Sequence, residues 1–430
     1  MTRFYSLLLA WCCIAVIGCG AANEAPSNSS SSVQPQAVVA EALPLLSIST
    51  NSGADVTSKE IYEAGRYTLT SENGQLILDS TLEIRGRGNS TWLMPKKPYR
   101  LKLTNSTSLL SMPANRDWAL LANYADKTLM RNDVAFELSR LMGMEYTTRS
   151  TYVELQLNGA YRGVYQLVEH IRVGADRVNI PELKIGDTGP SVISGGYLIE
   201  IDYRRGEAFC FDSERGSTMT FCLKNPDKLL EPGWEAQRGY IKEYIDQTEQ
   251  AIFSNQFADP VAGYAAYLDV DSAISYYLIN EVFKNVDGNL RLSTFLYKKR
   301  DGKLTFSPVW DFDIAIGNVN YGNADKTDGW HIRSAPWFTR MFADPVFAGK
   351  VKARWAQLKA SGDLDSLFSY IDGRAQLLSK VQVKNFQTWD ILGIYVWPNR
   401  VVTGSYDLEV VEMKDWLHKR IAWMDRQLSQ

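Results

Sequence analysis

The chain has 430 residues, and a composition of 45% hydrophobic and 22% charged residues is that of a globular protein, which excludes disorder over its whole length. Its 46 basic against 49 acidic residues give a formal charge of −3, without the basic surplus of a protein built to coat nucleic acid, so no nucleic-acid partner is expected. The three histidines, His170, His331 and His418, are too scattered for a multi-histidine metal site.

Residues 1–18 read as an export signal. Arg3 supplies a positive start, and Phe4 to Ile17 is almost wholly apolar, short for a membrane span and right for a signal core. The run stops at Val16-Ile17-Gly18-Cys19, which resembles a bacterial lipobox and marks Cys19 for lipidation; the plainer alternative is a signal peptide with an incidental Cys. Residues 19–40 are rich in Ala, Ser, Asn and Pro, as a flexible tether would be. The expected address is an exported, membrane-anchored lipoprotein, periplasmic or on the cell surface. Gly20 in place of a retention Asp favours the outer membrane in a Gram-negative cell.

From residue 43 to about 110 the sequence reads as short β-segments with turns. Tyr99-Arg100-Leu101-Lys102-Leu103 alternates strictly, the mark of a half-buried strand, and Trp118 to Ala122 is an apolar run. After Asp126, Met130, Val134, Leu138 and Leu141 recur at helical spacing and Gly143 closes the helix. Glu137 lies on the same stripe, so it is expected to be buried against a cation, a Lys of the neighbouring sheet, or else to reach water at the helix edge. Tyr152 to Leu157, Asn158-Gly159 and Tyr161 to Val168 spell a hairpin. Cys210 and Cys222 flank a polar turn in two apolar runs, and an oxidising compartment favours a disulfide between them over two buried thiols. Helical periodicity then dominates over Tyr240 to Phe253, Val270 to Phe283, Trp337 to Lys359, Asp363 to Lys380 and Tyr406 to Gln427. One hairpin interrupts it, from Ser293 to Val309 around Asp301-Gly302.

Two segments carry acidic chemistry. Asn285-Val286-Asp287-Gly288 precedes this hairpin, and Val309-Trp310-Asp311-Phe312-Asp313 follows it. A hairpin returns the chain to its start, so Asp287 and Asp311 are expected to be neighbours. Adjacent carboxylates repel unless a metal lies between them or one takes a proton. Mg²⁺ suits such a pair, and a glycosidase acid pair or two solvated turn residues are alternatives. Upstream, Arg85-Gly86-Arg87-Gly88-Asn89-Ser90 is a Gly-containing basic turn that could cradle phosphate or be a plain hairpin.

These segments, with Pro95-Lys-Lys-Pro98, Leu121 to Asn132, and Asn158 to Tyr165, resemble in order the CotH (spore coat protein H) family of atypical, secreted protein kinases. The resemblance implies an α+β, protein-kinase-like two-lobed fold. Residues 41–168 would be a β-rich N-lobe with one helix and the phosphate loop. Residues 169–360 would be a helix-rich C-lobe with the inserted β-hairpin and the two Asp, and 361–430 a C-terminal helical extension. Asp287 would be the catalytic base, and Asp311, with Asp313, the Mg²⁺ (or Mn²⁺) ligands. Arg85, Arg87, Gly88, Asn89 and Ser90 would cover the phosphates of ATP. Lys97 or Lys102 would bind phosphate with Glu137 as partner, and Glu169 would lie at a nucleotide-binding hinge. A kinase's second metal ligand, five residues after the base, is Leu292 here, which leaves Asp313, Asn289 or Ser293 for that role, and no G-x-G-x-x-G is present. The implied activity is transfer of the ATP γ-phosphate to Ser or Thr of envelope or surface proteins. The alternative is a surface-binding scaffold without catalysis, to which exposed aromatics around Trp330, Trp337, Tyr395 and Trp397 would contribute unless they are core.

Overall fold

In a computed structural model, which describes residues 42–206, 208–213 and 217–429, the first strands close on themselves. They are β1 (Leu45–Thr50), β2 (Glu63–Thr70), β3 (Leu76–Gly86), β4 (Tyr99–Leu109), β5 (Met112–Leu121), β6 (Ser150–Leu157) and β7 (Ala160–Glu169). Their order is β1-β2-β3-β4-β5-β7-β6, and β6 returns to pair parallel with β1, Leu46 opposite Leu155. Alternation decides the faces. Leu46, Ile48, Tyr67, Leu82, Leu101, Leu103, Trp118 and Leu155 fill the interior, so the barrel holds a packed core rather than a channel. Arg100 and Lys102 project from the other face of β4.

The rest of the chain builds a second sheet and a set of helices. Strands β8 (Tyr197–Ile201), β9 (Cys210–Asp212), β10 (Thr220–Asn225), β11 (Thr294–Lys298) and β12 (Leu304–Phe306) pair in the order β12-β11-β8-β10-β9, all antiparallel. The helices are α1 (Ser90–Leu93), α2 (Arg131–Leu141), α3 (Pro190–Ile193), α4 (Glu235–Phe253), α5 (Val270–Phe283), α6 (Pro336–Met341), α7 (Pro345–Ala360), α8 (Asp363–Leu378), α9 (Val381–Thr388) and α10 (Tyr406–Leu428). The main core joins the outer face of the barrel (Ala119, Leu121, Tyr152, Val168) to α2, α5 and the second sheet. The described residues all belong to one compact unit.

This arrangement corrects the expected two-lobed protein-kinase fold. The β-rich part is a closed seven-stranded barrel, and the helical part carries a five-stranded sheet of its own. The α+β class stands. The cause lies in β1, whose parallel partner is over 100 residues away and has no turn signal to announce it. The single helix expected over Trp337 to Lys359 is two, because Asp344 caps a new helix with Pro345 at its first position. Cys210 and Cys222 face each other across β9 and β10 and form a disulfide. The signal peptide, Cys19 and the tether at 19–40 lie outside the described residues. No described helix is long and apolar enough to cross a membrane.

Candidate active site

Two strained loops at the ends of one hairpin build the acidic side of the site. Helix α5 ends at Lys284, whose left-handed φ of +47° turns the chain into Asn285-Val286-Asp287-Gly288. Asn285 Oδ1 accepts from the Asp287 N–H at 3.3 Å, and Asn285 Nδ2 donates to Asn280 Oδ1 at 3.1 Å. The Tyr276 hydroxyl donates to the Gly288 carbonyl at 3.0 Å. A Cβ on Gly288 would stand 2.2 Å from Asn280 Oδ1, so the close turn after Asp287 demands glycine.

The β11–β12 hairpin then returns the chain to Asp311, as expected. Ser293 Oγ, at the start of the hairpin, donates to Asp311 Oδ2 at 3.0 Å. The Phe312 N–H donates to Asn132 Oδ1 at 2.7 Å, which fixes the segment to α2. Asp311 itself has φ of +70°, a conformation that costs a non-glycine residue about 1–3 kcal/mol and persists only where its surroundings enforce it.

Asp287, Asp311 and Asp313 line one cavity of about 820 Å³, together with Arg87, Gly88, Asn89 and Ser90. Burial, and then the Asp311 carboxylate, push Asp287 up to about 6, against the pull of Arg204 and Arg291. Burial also raises Asp313 well above the carboxylate range, reinforced by Asp311, Asp126 and Asp287. Arg87 lies over the Trp310 ring at 5.4 Å, and burial lowers its pKa while Asp311 opposes the shift. The cavity is thus a place where like charges are held together at a cost, with a guanidinium beside them. Strongly shifted acids in a cleft mark a functional site.

The remaining expected residues lie elsewhere. Arg85 projects from the barrel, hydrogen-bonded to the Lys59 carbonyl and stacked over Tyr62 at 4.7 Å. Lys97 donates to the Trp92 carbonyl at 2.8 Å, and the half-exposed Lys102 pairs with Glu83 at 3.7 Å. Lys102 does leave the strand opposite Leu101 and Leu103, but that face looks outward rather than into a cleft. Glu137 pairs with Arg140 at 2.8 Å on its own helix, not with a sheet lysine. Glu169 is fully buried, paired with Arg149 at 2.8 Å and Arg177 at 3.1 Å, and its N–H is spent on the Arg149 carbonyl. That N–H is not available to a nucleobase. None of these five lines the cavity.

Sequence reasoning missed Glu200 and Lys224, an ion pair at 3.1 Å that lines the cavity from β8 and β10. The signal was there: Glu200 is a charge set in an otherwise apolar strand, and Lys224 directly follows the apolar run Phe221 to Leu223. It also missed Tyr203 and Tyr321, which form the rim with Trp397; Trp397 and Tyr395, named among the exposed aromatics, are indeed 52% and 53% exposed. Of the aromatics singled out, Trp337 is core, and Trp330 packs on Trp423 at 4.8 Å.

A family model described as CotH kinase protein matches residues 84–424, which takes in every residue of this cavity. The chain belongs to the CotH family. No curated protein matches it. Membership makes the protein kinase-related and carries an expectation of ATP and a divalent metal, at most. Among the described residues no group of three or more His, Cys, Asp or Glu could hold a metal by itself. The oxygen donors in the CotH cavity nonetheless fit a hard cation of the Mg²⁺ type, which takes one or two carboxylates and completes its shell with water and substrate phosphates. Asp311 and Asp313 are such carboxylates. Asn289 Oδ1, in the same cavity, is buried without a hydrogen-bond partner, a polar atom left for a ligand.

Proposed function

We propose that this CotH protein is an exported, membrane-tethered protein kinase that transfers the γ-phosphate of ATP to Ser or Thr side chains of envelope or surface proteins. The observation that carries the reading is the convergence of Asp287, Asp311 and the Arg87–Ser90 segment on one cavity within the family match. The export and the lipid anchor rest on residues 1–40 of the sequence alone.

In this reading Asp287 orients the acceptor hydroxyl and takes its proton, and its raised pKa suits a base that must work near neutrality. Arg87 and Lys224 bind phosphate oxygens in place of Lys97 and Lys102. Gly88, with φ of +84°, lets the backbone approach the phosphates where a side chain would be strained. Asp311, Asp313 and the free Asn289 Oδ1 would hold Mg²⁺ or Mn²⁺, which when bound neutralises the phosphates and polarises the transferred group. Ser293, through its hydrogen bond, orients the Asp311 carboxylate.

The test is thermal unfolding of the protein with ATP and Mg²⁺ or Mn²⁺, beside Asp311→Ala. Binding at about 100 times Kd stabilises by roughly 2.7 kcal/mol. A metal-dependent upward shift in Tm, lost in Asp311→Ala, supports the reading. A cooperative transition that no nucleotide or metal moves refutes it and leaves a surface-binding scaffold that does not use the cavity for catalysis.

A further inference from the structure

The mouth of the cavity carries an exposed aromatic pair that no core explains. Tyr321 and Trp397 stack with ring centroids 6.1 Å apart and planes 10° from parallel. They remain 39% and 52% exposed, yet both line the cavity that holds Asp287. Large aromatic surface left in water is unfavourable and, beside a functional cleft, marks a binding surface.

The pair is held in place from behind. Lys127 Nζ donates to the Ile394 carbonyl at 2.7 Å. Asn399 Nδ2 donates to the Ala125 carbonyl at 2.7 Å and to Asn318 Oδ1 at 2.9 Å. Arg400 Nε donates to the Gly317 carbonyl at 3.2 Å. The segments that carry Tyr321 and Trp397 are therefore tied to each other and to the loop before α2. A platform fixed before binding spends little of its contact energy on ordering.

We propose that Tyr321 and Trp397 are the acceptor-recognition platform of the site, seating an apolar or aromatic side chain of a polypeptide substrate next to the Ser or Thr that reaches Asp287. This rests on the kinase reading and deepens it. In the step it serves, the acceptor Oγ forms a bond to the γ-phosphorus, and the bond from that phosphorus to the β–γ bridging oxygen breaks. ADP leaves with the electron pair, and the hydroxyl proton passes to Asp287.

A peptide fits the surroundings better than a sugar. A sugar ring stacked on an aromatic needs amide or carboxylate partners for its hydroxyls. Beside the pair, Asn320 Nδ2 is spent on the Tyr395 hydroxyl at 2.9 Å, and the carboxylates and free amide oxygen of the cavity are, in the kinase reading, taken by the acceptor hydroxyl and the metal. The same segment instead exposes Ile394 and Val402, at 55% and 43%, which offer apolar contact.

The experiment uses the full-length protein with ATP, Mg²⁺ or Mn²⁺, and peptides with one central Ser or Thr and every other position varied in turn. The wild type should select an aromatic or branched apolar residue within about four positions of the acceptor. Losing that residue should raise KM about tenfold to thirtyfold, with kcat little changed. Trp397→Ala and Tyr321→Ala should flatten the selection, and Trp397→Phe should restore most of it. The nucleotide-induced shift in Tm should be the same in all of them. A flat wild-type profile, selection that survives Trp397→Ala, or transfer to a glycan but to no peptide would overturn the platform while leaving the nucleotide site standing. Absence of both the nucleotide shift and transfer would instead remove the kinase reading, and the platform with it.

Discussion

Removing the Arg420 guanidinium should cost this protein more stability than any surface charge could. Arg420 and Glu281 are each fully buried and pair at 2.7 Å, locking α10 to the end of α5 just ahead of Asp287. Arg420 also donates to the carbonyls of Glu281, Thr327 and Gly329 at 2.8 to 3.1 Å. Glu281 in turn accepts from the His331 and Arg333 N–H groups at 2.8 and 3.1 Å. Arg420→Met keeps the stem and removes the charge. It leaves a buried carboxylate with two N–H donors and no cation, and strips donors from buried carbonyls. Breaking such a pair from one side costs about 3–5 kcal/mol. In Glu281→Gln/Arg420→Met the stranded charge is gone, so the double variant should recover roughly 1–3 kcal/mol of that loss, a coupling within the range found for contacting residues. Urea unfolding of the wild type, both single variants and the double variant measures all four corners at constant m. A loss below about 1 kcal/mol for Arg420→Met, or strict additivity across the cycle, would refute the reasoning.

Asp287→Asn should abolish phosphoryl transfer and yet stabilise the fold. The carboxyl sits at about 6 in the folded protein against 3.8 in its reference state, so folding is penalised as pH rises through that window; the neutral amide should gain up to about 3 kcal/mol at pH 7 and nothing below pH 4, read as Tm against pH. Lys96 behaves in the opposite sense. Burial lowers it to about 7 from 10.5, although Nζ donates to the Val164 carbonyl at 2.5 Å and to Asn385 Oδ1 at 3.0 Å, so the unfolded chain holds more protons between those values. Wild-type stability should therefore rise from pH 7 to pH 9 by up to about 2.7 kcal/mol relative to Lys96→Met, and parallel pH profiles would count against it. Replacing Cys210 and Cys222 by Ser should cost about 3 kcal/mol, since the bridge closes a loop of sequence separation 12; unchanged urea midpoints for the variant and for the reduced wild type would contradict this.

Local patterns announced most of the elements and the acidic half of the site. The alternation over Tyr99 to Leu103, the Asn158-Gly159 turn and the apolar stripe of α2 all act within a few residues, so the sequence displays them directly. The meeting of Asp287 and Asp311 could be read too, because a hairpin joins them and hairpin geometry is local. What could not be read was pairing at a distance. The barrel closes through β1 and β6, and Lys224 reaches Glu200 by the pairing of β10 with β8. Neither register leaves a mark near the residues involved. The basic residues around Gly86 and Gly88 show the same limit. Arg85 and Arg87 are two apart in sequence, but Arg85 is held by the Lys59 carbonyl and Tyr62, while the chain turns at Gly88 and gives Arg87 to the cavity.

Several of the positions where sequence rules break gather at the site. Leu290, Ser293, Asp311 and Ile316 all have φ between +49° and +70°, and Ile316 is β-branched, for which that region is a true outlier. All four lie in the two loops that end the hairpin, and Ser293 and Asp311 line the cavity. The same cavity holds three acids raised above their ordinary range, Asp287, Asp313 and Glu200, and an amide oxygen with no partner. A fold that needed only to be stable would relax each of these. Strain, charge repulsion and an unspent acceptor within one cleft are what a site gives up in stability so that a charged ligand can supply what is missing. Thus Asp287→Asn should stabilise where Arg420→Met destabilises, though both remove one buried charge: Arg420 is satisfied within the fold, and Asp287 is left to be satisfied from outside it.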